Sequence, residues 1–396
     1  MAMTVLYAYE SDAADPMVQS GRPLSILRQL ERRTDGVIPA FPLKDGLKYL
    51  YSAHYAANRL RGRTYRPDRE PALLRAWARQ IEHRAHGADW IFSPGSRAIT
   101  AVRASVPMIF CADATFQNML DCYDEFSRCS RGYLKQGYRQ EKAALDACAA
   151  ALYPSDWAAR SAIEDYGTDP AKVHVVPFGA NITPPDPDQV EARIAGRSPQ
   201  RLRLLFIGRD WVRKGGGIVL AAGEILRRRG LDLQLDLVGI AAPPVPLPPF
   251  AVNHGLLNKR VPAQAAMLER LLAEAHFLFV PSRAEAYGMV FCEAAAHGVP
   301  SVATRAGGIP AIVRHGETGI CLDPACGPDD YADAIERSFT AWPDYLALAR
   351  RSADAYRTRL NWDSFTLRLL EIAAAAIGQA PPLHRVEPLQ AGRQVA

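Results

Sequence analysis

Short apolar runs alternate with helix-like segments along this chain, and they do so in two successive series. Thr4 to Tyr9, Gly36 to Phe41, Asp89 to Ser93, Val106 to Cys111, Cys148 to Tyr153 and Lys172 to Val176 read as buried strands. Pro23 to Arg33, Glu70 to Ala85 and a helix capped by Ser155 and running to about Tyr166 lie between or after them. Strands separated by helices cannot pair through hairpins, so an α/β chain with parallel sheets and helices on both faces is expected. The second series begins at Leu202. Its strands are Leu202 to Ile207, Leu233 to Val238, a weak one near Val252, Phe277 to Val280, Val299 to Ala303 and Ile320 to Leu322. The Pro- and Asp-rich stretch Thr183 to Gln189, a helix and Gly196 to Gln200 separate the two series and read as an interdomain linker. Pro243 to Pro249 is mostly proline and must be a loop.

A length of 396 residues suggests two domains, and 48% hydrophobic content is enough for two cores. No apolar run approaches the roughly 18 residues of a membrane span, and the short apolar start is interrupted by Glu10 and Asp12. A cytoplasmic location is expected. The cysteines are odd in number and form no C-x-x-C pair, so they indicate neither a zinc site nor a disulfide framework. A net charge of +5 is too small to argue for nucleic acid. The charge is unevenly placed, however. Lys44, Lys48, Arg59, Arg61, Arg63, Arg66, Arg69, Arg75, Arg79 and Arg84 crowd one segment, interleaved with Tyr49, Tyr51, Tyr55 and Tyr65. That segment is a candidate face for an anionic acceptor or for peripheral contact with a membrane.

The most chemically specific stretch is Phe277 to Glu293. The apolar run at its start reads as a buried strand, Pro281 to Tyr287 as a loop, and Gly288 to His297 as an Ala-rich helix. The first amides of that helix, at Gly288, Met289 and Val290, would have no partner within it, and the helix dipole favours negative charge there. Glu285 falls just before this anion site and Glu293 within the helix, so the two carboxylates can accept from hydroxyls on either side of a diphosphate. A second loop, Gly208 to Gly217, places Arg209 and Lys214 before three consecutive glycines after a strand, a pattern that suits a phosphate cradle.

The segment Pro281 to Pro310, with its Glu-x7-Glu spacing at Glu285 and Glu293, resembles the donor-site signature of the family 4 retaining glycosyltransferases. Phe206 to Gly216 resembles the Gly-Arg-x4-Lys-Gly element of the same family, matched here by Arg209 and Lys214. The order of the motifs, followed by Gly-Gly-Ile-Pro and His315-Gly-Glu-Thr-Gly319, extends the resemblance over roughly the second half of the chain. The first half matches only in layout.

The resemblance implies the GT-B fold, two Rossmann-like domains facing across a cleft with a last helix crossing back to the first domain. Residues 1–195 with the crossing helix 361–380 would form the acceptor-side domain, 196–360 the donor domain, and 381–396 a flexible tail; Trp362 to Ala376 is the candidate helix. It further implies a retaining hexosyl transfer from a nucleotide sugar, UDP-linked ahead of GDP-mannose, to a hydroxyl of a glycan, lipid or small molecule. No cofactor and no metal would be needed. Arg209 and Lys214 would neutralise the diphosphate from an open cleft, Glu293 would accept from the ribose and Glu285 from the transferred sugar. Tyr287 and the amides of Gly288, Met289 and Val290 complete the donor-binding set, with Leu256 near the base and Gly21, the thin counterpart of a glycine loop, near the diphosphate or the acceptor. Many relatives carry a His-Asp pair in the segment where this chain has Ala112 or Cys111 at the His position, followed by Asp113, which leaves Asp113 as the sugar or acceptor contact. Two other readings share these residues: a GT-B-fold sugar-nucleotide epimerase and a nucleotide-sugar-binding protein without turnover. The paired glutamates and the Arg209 to Lys214 spacing favour transfer.

Overall fold

The structure, a computed structural model, describes residues 3–378 apart from 63–64, 124–125 and 127–128, with 48–50 described by their backbone alone. Arg63 and the side chains of Lys48 and Tyr49 therefore lie outside the described residues, as does the tail 381–396. The chain divides into two compact units. The first runs to Asn181 and takes back the chain from Trp362; the second is Ile182 to Asn361.

The first unit contains β1 (Thr4–Ala8), α1 (Arg22–Arg33), β2 (Gly36–Ala40), α2 (Ser52–Leu60), α3 (Pro71–Arg84), β3 (Trp90–Ser93) and β4 (Met108–Cys111). It continues with α4 (Phe116–Cys122), α5 (Arg131–Ala147), β5 (Ala150–Tyr153), α6 (Asp156–Glu164) and β6 (Val173–Val175). The six strands form one sheet in the order β2-β1-β3-β4-β5-β6, with every pair parallel. β3, β4 and β5 are buried at every position because helices cover both faces, which is why they read as continuous apolar runs rather than as alternating ones. Leu74, Trp77 and Ile81 of α3 join Leu6, Ile91 and Phe110 of the sheet in the main core.

The second unit contains α7 (Pro187–Ala195), β7 (Leu202–Ile207), α8 (Gly216–Arg228), β8 (Leu233–Val238), β9 (Ala251–Asn253) and α9 (Pro262–Glu274). It ends with β10 (Phe277–Val280), α10 (Met289–Ala296), β11 (Ser301–Thr304), β12 (Gly319–Leu322), α11 (Pro328–Thr340) and α12 (Trp342–Thr358). Its parallel sheet runs β12-β11-β10-β7-β8-β9. The chain thus builds outward from β7 to β9, then returns to the other side of β7 with β10. α7 buries Val190 and Ile194 against Ala349 of α12, and Asp186 caps α7 by accepting from the amides of Asp188 and Gln189. The division between the units falls after Asn181, ahead of the 195/196 boundary that the resemblance implied, and the Pro/Asp stretch starts a packed helix.

The last described helix, α13 (Trp362–Ala376), lies in the first unit and packs on α1, as the resemblance implied for a crossing helix. Phe178 stacks on Trp362 and meets Phe365 edge-on, and Asn181 Oδ1 accepts from both Trp362 Nε1 and Ser25 Oγ at 2.8 Å. No helix among the described residues is long and apolar enough to cross a membrane.

Candidate functional site

In an open parallel sheet, the loops after the two strands that flank a reversal of strand order part to opposite faces and open a crevice at their carboxyl ends. In the second unit those strands are β7 and β10, and their loops carry Arg209, Lys214 and Glu285. After β7 the chain turns through Asp210, whose side chain accepts from the Arg213 amide at 2.9 Å and whose carbonyl accepts from the Lys214 amide at 3.0 Å. This turn sends neighbouring cations in different directions. Arg209 is exposed and makes no side-chain hydrogen bond or ion pair with the described residues. Lys214 is only 8% exposed and donates to Glu285 Oε2. The expectation of two cations in an open cleft is therefore corrected for Lys214, which is drawn inward by a carboxylate 71 residues further along the chain. Arg213 completes the group, donating to the Ala284 carbonyl at 3.0 Å and lying 3.5 Å from Glu285 Oε2.

Glu285, also 8% exposed, is held from behind by the Gly-Gly turn. Gly307 has φ +52°, and a Cβ there would lie 2.0 Å from the Glu285 carbonyl oxygen, to which the Gly308 amide donates at 3.1 Å. Only glycine permits this approach. Seven residues after the end of β10 the chain reaches Tyr287, whose buried ring braces the turn while its hydroxyl accepts from Cys292 Sγ. Gly288 then opens α10 in the left-handed region at φ 94°. The amides of Gly288 and Val290 have no hydrogen-bond partner among the described residues, so the helix start offers free donors next to Met289. Glu293 faces away from solvent one turn along and accepts from Lys259 Nζ at 2.6 Å. Lys259 is 45% exposed and belongs to the loop after β9, which also presents exposed Leu256 beyond Gly255.

In the first unit the corresponding position at the end of β1 leads to Gly21 (φ 88°) and α1. Arg22, the first residue of α1, is buried: it donates to Gln19 Oε1 and to the Pro94 carbonyl, lies over the Phe178 ring, and reaches within 3.7 Å of Asp113 Oδ1. Burial opposes the charge of Arg22, but Asp113 and its other neighbours outweigh it and leave the guanidinium more firmly protonated. Asp113 is 49% exposed and is not the helix cap, a role taken by Thr115 with Asn118. It follows β4 with one face toward solvent and a buried cation behind it.

Arg213, Lys259 and Arg22 are the charged neighbours that sequence reasoning missed. Arg213 stands beside Lys214 in the same motif, whereas nothing in the local pattern around Lys259 or Arg22 marks them. Burial pushes the thiols of Cys111 and Cys292 up to about 12, so neither is a nucleophile at neutral pH. Among the described residues no group of three or more His, Cys, Asp and Glu side chains is placed to hold a metal ion.

Two Rossmann-like units, each a six-stranded parallel sheet between helices, make this a GT-B-type α/β protein. Sucrose-phosphate synthase from Thermosynechococcus elongatus aligns over 96% of this chain and 100% of its own with a TM-score of 0.66 at 16% identity. Anabaena HepE in complex with UDP aligns over 95% and 100%, with a TM-score of 0.64 at 16% identity. Residues 201–340 match the family model of glycosyl transferases group 1. Curated relatives include the D-inositol 3-phosphate glycosyltransferases of Rhodococcus erythropolis, 33% identical over 54% of this chain and 50% of that protein, and of Acidothermus cellulolyticus, 32% identical over 59% and 55%. The chain spans about half the length of these curated relatives.

Proposed function

We propose that the protein is a retaining glycosyltransferase that moves a hexosyl group from a nucleoside diphosphate sugar, a UDP-sugar ahead of GDP-mannose, to a hydroxyl of a glycan, lipid or small molecule. The observation that carries this reading is the convergence, at the carboxyl ends of β7 and β10, of a cation without a partner among the described residues (Arg209), a buried cation-carboxylate pair (Lys214 and Glu285) and a helix start where the Gly288 and Val290 amides have no partner among the described residues. A leaving diphosphate gains charge as the glycosidic bond breaks. Arg209, Lys214 and the α10 amides are the groups able to stabilise it, and preorganised donors of this kind contribute about 100-fold or more in rate. Glu285 would exchange Lys214 for a sugar hydroxyl and Glu293 would exchange Lys259 for the ribose. Asp113 would contact the sugar or the acceptor, with Arg22 behind it. The UDP complex of HepE supports the donor class, and the curated relatives' names support glycosyl transfer.

For the acceptor side, α2 buries none of its residues and exposes Tyr55 and Leu60 near Arg59 and Arg61. This is the face on which an acceptor or an anionic membrane would dock. Because side chains and a helix start carry the phosphate charge in this scheme, transfer should proceed in EDTA. The deciding experiment is a thermal-shift panel of UDP, GDP, ADP and their sugars, followed by turnover with D-inositol 3-phosphate among the acceptors. A ligand at a hundredfold excess over its Kd stabilises by about 2.7 kcal/mol. A panel in which no nucleotide raises Tm would contradict the proposal.

A further inference from the structure

The opposite end of the second sheet, where β7 and β10 begin, carries a cleft of about 1070 Å³ that the donor chemistry does not use. A strand of six residues spans about 20 Å, so this cleft and the Arg209 loop are held well apart by β7 itself. Arg193 of α7, Arg197, Arg201, Arg203 and Arg270 of α9 line it together with His297, the residue that ends α10. Its carboxylates are largely engaged. Asp186 caps α7, and Glu274 is held by Arg203 at 2.5 Å; Glu269 is the one lining carboxylate without a partner among the described residues.

The cations are less well matched. Among the described residues Arg201 has only the exposed Asp232, at 3.5 Å. Arg193 has no side-chain partner among the described residues, and Arg270 meets only Met267 Sδ. Arg197 donates to the carbonyls of Gly298 and His297 and to the Tyr345 hydroxyl, which leaves its charge unneutralised and its buried Nε without a partner. His297 is 3% exposed, and neither of its ring nitrogens has a hydrogen-bond partner among the described residues. A buried imidazole with an unused N–H, walled by arginines, is a costly arrangement unless something enters to accept from it. Burial, with Arg193 and Arg197 nearby, holds His297 down to about 4, so at neutral pH it offers one donor and one acceptor.

We infer that this cleft is a second ligand site, separate from that of the nucleotide sugar, and that it takes a small phosphate-bearing anion held by Arg193, Arg197 and Arg270 with His297 donating from its ring. Guanidinium groups grip phosphate oxygens in pairs, and low-dielectric walls focus their field. The ligand would sit against the carboxyl end of α10, the helix whose amino end forms the donor-side anion site.

The test is titration calorimetry of the full chain with inorganic pyrophosphate, comparing the wild type with Arg209→Ala and with Arg193→Gln/Arg270→Gln. Both arginines of the second variant reach solvent, so its fold should hold. Arg209→Ala should keep one pyrophosphate site that the double variant loses by about tenfold or more, the cost of lost charge-assisted contacts. In the wild type and in Arg209→Ala, the His297 ring ¹⁵N resonances should move on adding pyrophosphate; in the double variant they should not. No pyrophosphate binding in Arg209→Ala, a double variant that binds as the wild type does, or unmoved His297 resonances in the wild type would each overturn the inference.

Discussion

Lys214→Ala removes the nearer of two cations from a carboxylate that is almost wholly enclosed. Deleting one partner of a buried ion pair costs about 3–5 kcal/mol, because the other charge is left without compensation. Arg213 stays 3.5 Å from Glu285 Oε2 and takes over part of that role, so a loss of about 2 kcal/mol is expected. For a unit of this size that is a fall in Tm of about 4–8 °C. Arg209→Ala deletes an exposed side chain without a partner among the described residues and should change stability by less than about 0.5 kcal/mol. In transfer the two variants should look alike, each losing about 100-fold in kcat/KM, or about 2.7 kcal/mol of leaving-group stabilisation. The assay is a urea titration beside initial rates on the same preparations. Lys214→Met/Glu285→Gln, which removes both charges, should regain more than half of the lost stability and none of the activity. Equal stability losses for Lys214→Ala and Arg209→Ala, or no loss for Lys214→Ala, would refute the inward pairing.

Lys259→Ala breaks a partly exposed pair and should cost less than about 1 kcal/mol of stability. It frees Glu293 from a competing cation, so nucleoside diphosphate affinity should rise several-fold by calorimetry; a fall would place Lys259 on the nucleotide itself. Gly307→Ala forces a Cβ into the Glu285 backbone at φ +52° and should lower both Tm and turnover, with nucleoside diphosphate affinity less affected than kcat. His276 and His297 are both held down to about 4 by burial, against an ordinary 6.5. The unfolded chain therefore binds more protons than the folded one between those values, and stability is full above pH 6.5 and is lost as pH falls through about 4. Each histidine steepens that loss by at most ~1.4 kcal/mol per pH unit. Denaturant titrations at pH 7 and pH 5 should show the fall, and His297→Leu should shrink it.

The strands were legible because parallel strands buried on both faces leave unbroken apolar runs, as Trp90 to Ser93 and Phe277 to Val280 do. β9 was only faintly visible: an edge strand of three residues with an exposed Val252 has little apolar signal to give. α2 was not read from the sequence, and it buries none of its residues. At the candidate site, the Gly288 helix start could be read locally, since a glycine before an Ala-rich helix suffices. The pairing of Lys214 with Glu285 could not. It exists because the strand order reverses at β7 and sets the β10 loop against the β7 loop, a tertiary fact that no spacing within either motif encodes. Lys259 on Glu293 and Arg22 behind Asp113 were hidden for the same reason.

Calorimetry with bare UDP on Glu293→Gln and Glu285→Gln tests most directly whether the β7 and β10 crevice is a nucleotide-sugar site. UDP has a ribose but no transferred sugar, so Glu293→Gln should weaken its binding, whereas Glu285→Gln should leave UDP affinity nearly intact and slow turnover instead. Loss of UDP affinity in Glu285→Gln that exceeds the loss in Glu293→Gln, or UDP binding unaffected by both, would contradict the account.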